Sequence, residues 1–331
     1  AEVTSTHLAA VRAAMIDAVF RRALEIDVRQ AELETFECSW LLFGSIGRRE
    51  PLPNSDVNTA LVWQPRRIPN EPAEPERLAR AATGRLQALA GCGLNFRPNE
   101  ANASNPLYAR SVDQWRQEIA RWASAPQERT DIVLASALLD ARPITEHGLG
   151  QVVLDLVAAA SAHRDFRQSL TRSALEETPP AGFVRGFVIE RLGERRALLD
   201  LKQAGLRPVV SLARALALWA GDVSGTTPER LETAAAGGLL SQEECESMKG
   251  AFSLYHEILF EQEIEDIRNG TQQEVGIDPG QLDPVRRRHL REGFRAIERI
   301  QNRVANDREI GLTSGHPVPG GVEGRGGLIL P

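Results

Sequence analysis

One stretch of this 331-residue chain, LLFGSIGRREPLPNSDVNTALVW (residues 41–63), has residue types and a spacing that could do chemistry. An apolar run stops at Gly44 and Ser45, a charged turn follows, and a second apolar run starts around Asp56 and Asn58. A Gly-Ser turn that leaves a buried strand and opens into a helix presents unpaired backbone N–H groups and a hydroxyl to one spot, which suits a phosphate. An acid eleven residues after Ser45, at the mouth of the neighbouring strand, would lie beside those phosphates and hold Mg²⁺ (or Mn²⁺), a hard cation that takes carboxylate and phosphate oxygens. That layout suits metal-assisted nucleotidyl transfer, where cations neutralise phosphates and activate an attacking hydroxyl. Alone, a Gly-Ser turn with one acid fits an ordinary strand, turn and strand equally well.

The elements that must position these groups follow from periodicity. FECSWLLF (36–43) is short, apolar and ends at Gly44, and VNTALVW (57–63) is closed by Gln64-Pro65, so both read as strands. Residues 5–34 read as an amphipathic helix or helix pair with Leu8, Val11, Met15, Val19 and Leu24 on one face. Four prolines between 64 and 77 mark an exposed loop into a helix at about 74–90. GCGLNFRPNEANASNP (91–106) reads as irregular backbone around a short strand, Trp115, Ile119 and Trp122 as a helix face, and DIVLASALLDARPI (131–144) as a helix passing into a strand. Beyond 150 only helical periodicity remains, with start signals at Thr227-Pro228-Glu229, at Ser241 with Glu244, and at Asp283 before Pro284. The expected fold is therefore α/β (or α+β), with a mixed sheet and helices over 1–148 that include an N-terminal helix. An all-α helical bundle over 149–310 and a Gly/Pro-rich tail over 311–331 complete it.

Composition narrows the function classes. The formal net charge of −6 is opposite in sign to the footprint of a protein that wraps nucleic acid. Cys38, Cys92 and Cys245 are scattered without CxxC spacing, as reduced thiols of a cytoplasmic protein are, and the six histidines show no zinc-ligand spacing. No apolar run approaches the ~18–20 residues of a membrane span, and the start lacks a signal-peptide core. The chain begins without Met, as a processed chain or a fragment does. Trp115, Trp122 and Trp219 read as core, the Arg-rich run 286–295 as the wet side of a helix, and His163 and His256 receive no role.

Gly44-Ser45 through Asp56 resembles the signature of the DNA polymerase β-like nucleotidyltransferases, a Gly-Gly or Gly-Ser turn followed by Asp-x-Asp or Asp-x-Glu. GSIGRREPLPNSDVNTALV is similar to the matching segment of the uridylyltransferase of the nitrogen-signalling PII protein. It is closer still to nucleotidyltransferases that bacteria carry behind cyclic-nucleotide-binding and CBS modules. ANASNPLYARSVDQWRQEIARW, LLDARPI, LDLKQAGLRPVVSLARALAL, TTPERL and LREGFRAIERIQ extend the resemblance over about 15–305.

The resemblance implies transfer of a nucleoside monophosphate from a Mg²⁺-bound NTP, ATP or UTP first, to a hydroxyl of a protein or small-molecule acceptor. It implies that Gly44 and Ser45 grip the triphosphate and that Asp56 binds the metal. Arg48, Arg49 and Glu50 match the family's turn and would shape the nucleotide pocket. Asp200, Lys202, Arg214 and Arg230 would line a cleft between domains, with Lys202 on a phosphate or an acidic acceptor. Asn58 stands where the family has its second metal Asp, and a neutral amide would be a weak ligand. Glu100 and Asp140 are the candidates for a third carboxylate. The alternative reading is a catalytically degenerate nucleotide-binding module that signals to a partner or to CBS or cyclic-nucleotide-binding modules.

Overall fold

The structure, a computed structural model, describes residues 4–26, 36–66, 75–97, 100–124, 129–144, 148–180, 198–270, 276–307 and 310. The expected tail, 311–331, lies outside the described residues. In the first half the elements are α1 (Ser5–Ile26), β1 (Phe36–Leu42), the one-turn α2 (Gly44–Gly47), β2 (Thr59–Pro65), α3 (Pro75–Gly91), β3 (Ala109–Ser111), α4 (Val112–Ser124), α5 (Arg129–Leu139), β4 (Arg142–Pro143) and α6 (Leu149–Ala160). Then come α7 (Arg164–Glu176), a π-helical turn Lys202–Leu206 leading into α8 (Arg207–Ala220), α9 (Thr227–Ala236), α10 (Gln242–Asn269) and α11 (Pro284–Ala305).

The strands form one mixed sheet of order β3-β2-β1-β4. β1 and β2 are antiparallel with Phe36 opposite Pro65 and Leu42 opposite Thr59. β3 runs parallel to β2, and β4 antiparallel to β1. The second apolar run enters the ladder only at Thr59, because the N–H of Val57 donates to the Asn95 carbonyl at 2.9 Å instead. Strand alternation sorts the core into two layers. Leu41, Phe43, Ala60 and Val62 pack with Trp115, Trp122, Leu134 and Val153 of α4, α5 and α6. Trp40, Leu42 and Leu61 pack the other way, with Ile16 and Phe20 of α1 and Leu86 and Leu89 of α3.

α1 matches the expected inward face only in its second half, where Val19 and Leu24 pack against the core. Leu8, Val11 and Met15 are exposed, while Ala9, Ala13, Ile16 and Phe20 are buried. The rotation follows from Asp17, which is buried and accepts two hydrogen bonds from Arg142 at 2.8 and 2.6 Å. A buried carboxylate must face its partner, and that fixes the helix about its axis. α6, expected with the bundle, packs against β1, β2 and α4, since periodicity identifies a helix but not its neighbour.

α8, α9, α10 and α11 share a second core of Leu212, Leu216, Phe252, Tyr255, Phe294 and Ile297, which Leu52 of the β1–β2 loop joins, while Phe166 and Leu170 of α7 and Leu218 of α8 pack into the sheet-side core. Their starts are capped. Ser241 and Glu244 close a capping box on α10, and Asp283 accepts from the N–H groups of Val285 and Arg286 on α11. Among the described residues no helix is long and apolar enough to cross a membrane.

Candidate functional site

The antiparallel register of β1 and β2 explains why the chemistry-bearing residues meet. β1 ends at the same edge of the sheet where β2 begins, so the Gly44-Ser45 turn and Asp56–Asn58 come from opposite sides of one loop. The N–H of Phe43 donates to the Asn58 carbonyl at 3.1 Å and carries the pairing one step past the strands. Gly44 has φ +65°, and a Cβ there would lie 3.1 Å from the Asn58 amide nitrogen, so glycine suits both the backbone and the close approach. Ser45 donates to Ser55 Oγ at 3.4 Å, and Ser55 Oγ accepts from the N–H of Leu52 at 2.9 Å, which tightens the loop.

Gly44, Ser45, Asp56 and Asn58 line one side of a cleft of about 410 Å³, and Lys202, Gln203, Arg207 and Arg214 of the bundle line the other. Asp56 is half-buried and Lys202 exposed. At the cleft floor lies a buried charge cluster. Asp140 Oδ2 accepts from Arg48 at 2.5 Å and Arg214 at 2.7 Å, and Oδ1 from Arg230 at 2.5 Å and Arg214 at 3.0 Å. Burial alone would raise the Asp140 carboxyl, but Arg214, Arg48 and Arg230 override it and hold it well below the usual carboxylate range. Glu50 accepts from Arg48 at 2.9 Å and from the hydroxyl of Thr227 at 2.9 Å, and also from the Thr227 N–H. The cluster therefore holds three arginines against two carboxylates and leaves the cleft floor net positive.

Not every expected residue reaches the cleft. Arg48 and Glu50 line it, yet their polar groups are spent on Asp140 and Thr227. Arg49 is exposed, has φ +65° and does not line the wall. Asp200 accepts from the Gln203 N–H and serves the π-helical turn. Arg214 and Arg230 grip Asp140, so Asp140 is a hub for arginines and not a third metal carboxylate. Glu100 is exposed and lies beyond Arg97, whose guanidinium is 3.7 Å from Asp56 Oδ1 and 3.8 Å from Glu100 Oε1.

Two buried groups of α10 given no role by the sequence meet the β1–β2 loop, and one of them, His256, lines the cleft. His256 is buried against the cleft, and its Nε2–H donates to the Glu50 carbonyl at 3.3 Å while Nδ1 accepts from Ser5 Oγ at 3.0 Å. A carbonyl only accepts, which fixes this neutral tautomer. Burial pushes the His256 pKa down to about 4. Glu263, also buried, accepts from the N–H of Asn54 at 2.7 Å. Neither has a local motif that marks it, because the partners lie more than 200 residues away in sequence.

Asp56, with Asn58 on the same wall, offers hard-oxygen donors that could hold a Mg²⁺ whose remaining positions phosphate and water would take. Among the described residues no group of three His, Cys, Asp or Glu side chains converges to hold a metal.

No curated protein matches the chain. Two family models do. The one described as putative nucleotidyltransferase matches residues 1–129, which hold the sheet's β1, β2 and β3 and the Gly44-to-Asn58 loop. The one described as putative nucleotidyltransferase substrate binding domain matches residues 164–307, the helices that supply Lys202, Arg214 and His256. With both faces of the cleft covered by these two matches, the chain belongs to the putative nucleotidyltransferase family.

Proposed function

We propose that the cleft binds an NTP with one divalent cation and that the chain transfers the nucleotidyl group to a hydroxyl of a protein or small-molecule acceptor. The observation that supports this best is the meeting of the Gly44-Ser45 turn and Asp56 at one mouth, opposite Lys202 and Arg214. The N–H groups of the turn, which as the start of a helical turn lack internal partners, and the Ser45 hydroxyl would take phosphate oxygens. Lys202 and the net positive floor would neutralise them from the bundle side. Asp56 would hold Mg²⁺ with Asn58 Oδ1 as a weaker ligand. When bound, the cation supplies charge neutralisation on the phosphates and on the departing pyrophosphate. The acceptor oxygen bonds to the α-phosphorus as the bond to the β-phosphate oxygen breaks, and the hydroxyl proton is lost to solvent. The bundle, described by family as substrate binding, would seat the acceptor.

Asn58 and the Arg97–Asp56 pair favour a second reading, in which the site keeps nucleotide binding, has lost turnover and signals its occupancy to a regulatory module. Mg²⁺-dependent pyrophosphate release from ATP or UTP by the purified protein, measured with a panel of hydroxyl-bearing protein and small-molecule acceptors, separates the two. For a transferase, release falls to background in Asp56→Ala and rises in Asn58→Asp. Absence of release in both the native protein and Asn58→Asp overturns the transferase reading.

A further inference from the structure

Beside Asp56, in a groove that adjoins the cleft and shares that carboxylate with it, lies a cation. The Arg97 guanidinium lies between Asp56 Oδ1 at 3.7 Å and Glu100 Oε1 at 3.8 Å. Neither distance is a hydrogen bond, so its donors are held near the carboxylate without being consumed by it. The backbone around it is built into the fold. The buried Asn102 donates to the Arg97 carbonyl at 2.7 Å, the Asn95 carbonyl accepts from Val57 beside Asp56 at 2.9 Å, and Asn95 Nδ2 donates to the Asn54 carbonyl at 2.9 Å. Arg97 is thus tied to the loop that carries Asp56.

The charges agree with that placement. A pair of divalent ions needs several anionic ligands to overcome their mutual repulsion, and this mouth offers Asp56 with the neutral Asn58 beside it. Glu100, which could have supplied a further acid, meets Arg97 first. A guanidinium keeps its charge at every working pH and presents planar donors that match phosphate. We propose that Arg97 takes the place of the second divalent cation, so that a nucleoside triphosphate binds here with one metal ion and one guanidinium. This rests on the nucleotide-binding reading above and adds to it the residue that stands in for a second ion and contacts the triphosphate.

Electron paramagnetic resonance with Mn²⁺ and a non-hydrolysable triphosphate analogue, with the full chain in excess over nucleotide, tests it without relying on turnover. The expected spectrum is that of isolated Mn²⁺ at one ion per bound nucleotide. Arg97→Ala lowers the analogue's affinity by about tenfold or more, the scale of a lost charged hydrogen bond, and Arg97→Lys recovers part of it. The double variant Arg97→Ala/Asn58→Asp takes up a second ion and shows an exchange-coupled pair. Arg97 is 63% exposed, so Arg97→Ala and Arg97→Lys keep the native melting temperature. Two ions in the native protein, or unchanged affinity in Arg97→Ala, overturns the inference while leaving nucleotide binding intact. Failure of the native protein to bind ATP, UTP, CTP or GTP analogues overturns both.

Discussion

At the scale of single residues the cleft floor is held by Asp140, one carboxylate shared by three arginines. Removing it in Asp140→Ala strands buried cations, and the expected loss is about 3–5 kcal/mol of unfolding free energy, read by urea denaturation. His256 gives a prediction on pH. Its folded pKa is about 4 against ~6.5 in the unfolded chain, so the unfolded state binds more protons between those values. Stability is then full above about pH 6.5 and falls as pH drops toward 4, by roughly 3 kcal/mol in all. Glu263, whose carboxyl is raised by burial, works in the opposite sense. Comparing the native protein with His256→Gln isolates the histidine, and the variant should lose this part of the slope. Gly44, Ser45, Asp56 and Asn58 were legible in the sequence because strand, turn and strand are contiguous there. The places of Arg97 beside Asp56, of His256 beside Glu50 and of Asp140 among three arginines were not, because each is defined by a partner that folding brings from another segment.

Among the elements, close approach explains the glycines that matter. A Cβ on Gly47 would sit 2.1 Å from the Asp140 carbonyl oxygen, and one on Gly205 would meet Leu201 at 2.8 Å and Tyr255 at 2.9 Å. The first contact is with backbone and cannot relax by side-chain motion, whereas the second is with the buried side chains of Leu201 and Tyr255, which must shift to make room. Gly205→Ala is expected to destabilise by about 1–3 kcal/mol and to shift the π-helical turn that carries Lys202, so nucleotide affinity falls along with melting temperature. A variant with native affinity and stability contradicts this packing. The elements themselves were largely readable: both strands, the Trp115–Trp122 helix, and the start signals of α10 and α11. One start moved. The cap of α9 is Thr226, closing a box with Glu229, and Thr227 is thereby left to donate to Glu50. The α1 face was misread in its first half because apolar residues lie on more than one side of that helix, and only the buried Asp17–Arg142 pair decides between them.

In the molecule as a whole, the sheet half and the bundle are joined through the β1–β2 loop: Leu52 in the bundle core, Glu50 on Thr227, Asn54 on Glu263 and the Glu50 carbonyl on His256. The loop that shapes the cleft is thus also part of the joint, together with the Asp140 pairs to Arg214 and Arg230, which couples site geometry to packing. The two halves are expected to unfold together. Four tryptophans lie before residue 150 and Trp219 lies in α8, so urea curves of the native protein and Trp219→Phe followed by fluorescence should share one midpoint with the loss of helical circular dichroism. Separate midpoints contradict a shared joint. The mixed sheet followed by helices could be read from the change in periodicity, whereas the cleft between them could not, since no local pattern states how two layers meet. The central claim, that this cleft takes a metal-bound nucleotide through Asp56, is tested most directly by calorimetric titration of ATP, UTP, CTP and GTP into the protein with Mg²⁺ and again with chelator. The account predicts binding of at least one nucleotide that requires Mg²⁺ and is lost in Asp56→Ala; binding indifferent to both, or none at all, contradicts it.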